Sequence, residues 1–252
     1  MSSYHETPPY RTYLYSEDHQ TISKLAAEDE PSISDLTKLS ALISTVQDPF
    51  MVDEYGNSPL HFAVNLGHFD AVRVLLRRGH PLLLKNLDGN LPLHLAVLRR
   101  SDLRIPDEEV DEGTHVELAV QLLSVEASYR DSDLRNMHGD TPLHYACLYK
   151  HHRATQALIQ QYHHPIDIPN FLGDIPLHYA AYSDSETIVA LLLECGANAL
   201  IQNSRGEVPL DRIYSQYSSV AVLLQNASMK ARTLFQLLAP MLDHVNNFLM
   251  PP

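Results

Sequence analysis

The chain has 252 residues, 44% of them apolar, and a formal charge of −13 from 18 basic and 31 acidic side chains. That apolar share supports a packed core and excludes a wholly disordered chain. Phosphate neutralisation needs clustered Lys and Arg, which this sequence lacks, so nucleic acid and anionic membrane surfaces are not expected partners, whereas a basic or mixed protein surface is.

Residues 1–19 hold four tyrosines (Tyr4, Tyr10, Tyr13, Tyr15) and Thr7-Pro8-Pro9. They read as a disordered tail; a modified or partner-binding peptide, or a strip covering a groove, are the alternatives. The opening MSSYHETPPYRTYLYSEDHQ is polar and no run of 18 apolar residues exists, so neither a signal peptide nor a membrane-spanning helix is expected. Cys147 and Cys195 lie in helical apolar patterns and read as reduced core thiols, in keeping with a cytoplasmic or nuclear location.

From residue 53 a phrase recurs: Ser58–His61, Leu91–His94, Thr141–His144, Ile175–His178 and Val208–Asp211. Its copies end 33, 50, 34 and 33 residues apart, and a glycine stands two positions before each: Gly56, Gly89, Gly139, Gly173, Gly206. After each phrase come two short helical patterns. In the first unit they span 59–65 and 69–77, closed by Gly79; proline suits the first turn of a helix, and glycine suits its stop.

The run DEYGNSPLHFAVNLGH at 53–68 and LLLECGAN at 191–198 resemble the ankyrin repeat, with its TPLH-x-A phrase and period of about 33. The resemblance implies an all-α fold with short β-hairpin turns: an ankyrin-repeat α-solenoid with a C-terminal helical extension. The implied division is a degenerate capping repeat at 20–52 and repeats at 53–85, 86–135, 136–169 and 170–202. A degenerate fifth repeat at 203–227 and a C-terminal helix at 228–252 follow. His61, His94, His144 and His178 are then structural, tying turns and neighbouring repeats together.

Repeat two is too long by about 17 residues, and its insertion, 101–115, holds Asp107, Glu108, Glu109, Asp111 and Glu112. It reads as a solvated loop or as a contact for a basic partner. The last segment carries Leu234, Leu238, Met241, Leu242, Val245 and Leu249 at helical spacing, with Pro240 expected to break or kink it. That apolar face is expected to dock on the last repeat; a partner helix, a homo-oligomer contact or membrane adsorption are alternatives.

No catalytic, cofactor or metal constellation is expected, and the chain does not read as an enzyme. His151-His152 and His163-His164 flank a helix of about ten residues, roughly 15 Å long, too far apart to share an ion held by 2 Å bonds. Either pair alone supplies too few ligands.

In the ankyrin family, the residues before the turn glycine and those ending the first helix point outward along a concave groove. Here that implies a partner-binding groove of Tyr55, Leu66, Leu87, Leu98, Arg99, Met137, His138, Leu148, Tyr149, Phe171, Leu172 and Tyr182. Apolar and aromatic types dominate where a solvated framework favours polar ones. The expected function is non-catalytic protein binding, as an adaptor or inhibitor. The alternatives are a substrate receptor of a ubiquitin-ligase-type complex and a host-directed effector of an intracellular microbe.

Overall fold

A computed structural model of the chain describes residues 52–65, 69–98, 134–162, 166–215 and 217–249. The N-terminal tail and capping repeat, the acidic loop, Leu66, Arg99 and the His163-His164 pair lie outside the described residues. The chain divides into two compact units, Met1–Pro142 and Leu143–Pro252.

In the first unit α1 (Pro59–Asn65) and α2 (Phe69–Arg77) form a helical hairpin, and α3 (Pro92–Leu98) packs on α1. Residues Pro59 to Val64 of α1 are all buried, so this helix is sandwiched rather than half exposed. Ala63 and Ala96, two residues after the phrase histidine, are 0% and 5% exposed; a methyl group there lets consecutive helices approach closely. Gly79 stops α2 at φ 78°, with its N–H on Leu76 O and the N–H of His80 on Leu75 O.

α4 (Pro142–Leu148) starts at the junction of the units. In the second unit α5 (His152–Tyr162), α6 (Pro176–Tyr182) and α7 (Glu186–Glu194) follow. α7 packs on α5 and α6. Leu177, Ile188 and Leu192 are fully buried, each contributing roughly 1.5–3 kcal/mol.

Among the described residues there is no strand; the β-hairpin turns are tight tips whose backbones hydrogen-bond across repeats. The fifth repeat departs further. Its first helix is a single 3-10 turn, Pro209–Arg212, packed on α6. Where the other repeats place alanine two residues after the phrase, this one has Ile213, which adopts an extended ψ of 144°.

The last helix, α8 (Ser219–Leu249), corrects three expectations. It begins at 219 rather than 228, because Val220, Ala221 and Leu224 bury one face alongside α7. It also continues through Pro240, which removes one backbone donor within a run long enough to stay helical on both sides. Nor does it dock throughout: beyond Ala231 its described side chains are exposed. Of the two cysteines, Cys147 is buried, with burial pushing its thiol pKa up, while Cys195 is exposed because it caps the C-terminal end of α7.

Candidate functional site

The tips begin with a short polar side chain that the sequence reading did not single out. Asp53, Asn86, Asn136, Asn170 and Asn203 each stand three residues before the turn glycine. Asn170 Oδ1 accepts from the N–H of Leu172 at 2.9 Å and of Asp174 at 3.0 Å, and Asn86 holds Asp88 and Asn90 in the same way. The amide then reaches the tip before it: Asn86 Nδ2 donates to Asn57 Oδ1 at 3.0 Å, and Asn203 Nδ2 to Asp174 Oδ1 at 2.7 Å. Backbone bonds run in parallel, with Leu87 N–H on Tyr55 O and Ser204 N–H on Leu172 O, both 2.8 Å.

The phrase histidines lock each tip to the following helix. In His61, Nδ1 accepts from the Ser58 N–H at 3.0 Å while Nε2 lies 3.0 Å from Asn90 O in the next repeat. His178 repeats this with the Ile175 N–H at 3.1 Å and Glu207 O at 3.0 Å. A backbone N–H can only donate, so Nδ1 is unprotonated and the ring proton sits on Nε2. Burial lowers the pKa of His61 to about 4 and also lowers that of His178. Asp211 keeps the acceptor arm alone, its carboxylate taking the Val208 N–H at 2.9 Å; the chain then enters α8 rather than another tip.

Against this framework the outward positions separate. Tyr55, Leu87, Met137 and His138 in the first unit are exposed, as are Tyr149, Phe171, Leu172 and Tyr182 in the second. Leu98 and Leu148 are half-buried, since each closes the last turn of a seven-residue helix that is covered on most sides. The second unit also holds aromatic residues that sequence reading passed over. Tyr145 stacks on Tyr149 with ring centroids 6.3 Å apart. Tyr179 stands edge-on to His144 and takes a hydrogen bond from Asn170. Tyr214 lies 5.2 Å from Tyr182, and the Arg212 guanidinium sits 5.6 Å from the Tyr182 ring centre. The only signal was that repeats three and four read PLHY where the first two read PLHF and PLHL.

Among the described residues no group of three or more His, Cys, Asp or Glu is arranged to hold a metal ion, and no helix is long and apolar enough to cross a membrane.

Comparison with known proteins gives a consistent pattern. Family models described as ankyrin repeats match residues 44–109 and 110–203. The chain is 32% identical over 110 residues to transient receptor potential cation channel subfamily A member 1 of Homo sapiens, covering 44% of this chain and 8% of that one. It is 41% identical over 63 residues to ankyrin repeat domain-containing protein 13C of Danio rerio, covering 25% and 13%. An ankyrin repeat-containing protein of Schizosaccharomyces pombe is 28% identical over 142 residues, covering 49% and 66%. The chain thus spans a small fraction of the first two relatives and 66% of the third.

Proposed function

The chain belongs to the ankyrin-repeat family, and we propose that it is a non-catalytic adaptor or inhibitor that binds a partner protein through the apolar side chains of its tips and first-helix ends. Ankyrin repeats are generally protein–protein interaction modules. The observation that carries the reading is the division of labour at Phe171 and Leu172. The tip uses the Leu172 backbone: its N–H donates to Asn170 Oδ1 and its carbonyl accepts from the Ser204 N–H. Their side chains are 67% and 63% exposed. Nothing in the tip's hydrogen bonding requires an aromatic or aliphatic residue there, so the fold does not explain their identity. Contact with a partner does, because aromatic anchors are enriched where interfaces bury them.

Tyr149 and Tyr182 extend this apolar surface within the second unit, with Arg212 held against the Tyr182 ring. The net charge of −13 favours a partner with a basic or mixed rim around an apolar centre.

Replacing Phe171, Leu172 and Tyr182 together with serine tests the reading. The expected result is an unfolding midpoint within a few degrees of wild type and at least a tenfold loss in recovery of the proteins that wild type captures from lysate. Undiminished recovery of every captured protein rules the surface out.

A further inference from the structure

α8 carries one apolar seam along its whole length, and among its described side chains only the first part of that seam is covered. The residues Val220, Leu224, Ala227, Ala231, Leu234, Leu238, Met241, Val245 and Phe248 follow one another at alternating spacings of four and three. That alternation is the heptad repeat of a coiled coil. At its start the seam is occupied within the chain: Val220 and Leu224 are buried where α8 packs on α7. Further on it is bare, with Leu234 58% exposed and Leu238 43% exposed. Leu237 beside them is 67% exposed. The seam does not change register between its covered and uncovered parts, and Pro240 falls at an outer position of the heptad.

Two observations name the occupant. Residues 233–249 contain a single charged residue, Asp243, in a chain of net −13, so like-charge repulsion between two copies is weakest here. In addition, the heptad positions flanking the seam over this segment are Phe235, Leu237, Leu242, His244 and Leu249. Coiled coils that select a different chain do so with charges at these positions, and here none is Asp, Glu, Lys or Arg. A face that is apolar at its seam and, His244 apart, on both flanks is complementary to itself, as an isologous interface must be.

We infer that the segment 232–249 of α8 pairs with the same segment of a second copy of this chain, forming a helical homodimer. The dimer presents two partner-binding surfaces, so a partner that is itself dimeric or repetitive gains avidity without any new contact.

Sedimentation velocity of the full chain tests this. Wild type is expected at the mass of two chains, shifting toward one on dilution. The double substitution Leu234→Glu and Leu238→Glu is expected at the mass of one chain at every concentration. Because both side chains are exposed, its helical circular dichroism and unfolding midpoint should match wild type. Val222→Glu, on an exposed residue off the seam, should keep the two-chain mass. The inference is overturned if wild type stays at one-chain mass throughout, if the double variant remains dimeric, or if Val222→Glu dissociates it. A wild type that is monomeric in solution and co-sediments with phosphatidylcholine vesicles would overturn it in favour of a lipid surface.

Discussion

His61, His94 and His178 each serve two backbone groups at once, and only the neutral imidazole can do so: protonating Nδ1 replaces an acceptor with a donor facing a backbone N–H. Burial sets His61 at about 4 against 6.5 in the unfolded chain, and His178 is lowered too. Since the folded values lie below the unfolded one, the unfolded chain binds protons first as pH falls. The stability they contribute is complete above pH 6.5 and lost progressively toward pH 4, on the order of 3 kcal/mol for His61. Urea unfolding at pH 7.5, 5.5 and 4.5 should therefore give midpoints that fall steadily; a midpoint constant across that range contradicts the assignment. The histidines were legible in the sequence because they recur in register. The tip asparagines were not, because a short polar residue near a glycine fits any turn. The bond that gives Asn86 its role reaches Asn57, 29 residues away, and spacing alone does not reveal it.

At the scale of elements, the tips stack so closely that a single methyl group discriminates among them. Gly173 has φ 78°, and a Cβ there would lie 2.8 Å from Ser204 N in the next tip; Gly206 has φ 76° and open space around it. Both alanine variants incur the left-handed backbone penalty of about 1 kcal/mol. Gly173→Ala adds the displacement of a backbone, about 1–3 kcal/mol more. Thermal unfolding should rank Gly173→Ala well below Gly206→Ala; equal losses would mean that the tips do not bear on one another. The helix bounds of the first repeat were readable because proline and glycine punctuate them. The ends of α4 and α6 were harder: Lys150 and Asp184 take φ of 61° and 52°, where glycine would have announced the stop. The shortening of the fifth repeat's first helix to a single turn, with Ile213 extended where the other repeats have alanine, could not be read from the phrase, which keeps its proline and leucine there.

For the molecule as a whole, the repeat architecture was legible because five phrases in register constrain it far more than any one of them. The fate of α8 was not. Its apolar stripe was evident, but the same stripe serves docking near Val220 and stands uncovered at Leu234, and only burial separates the two. Likewise, outward positions could be inferred from the repeat, while the half-burial of Leu98 and Leu148 could not. The account rests on tip side chains that serve a partner rather than the fold. A photo-activatable benzoylphenylalanine placed at position 171, and separately at the exposed position 194, tests this most directly in lysate. The account predicts a discrete protein adduct from position 171 and none from 194. Equal labelling from both positions, or none from 171, would contradict it.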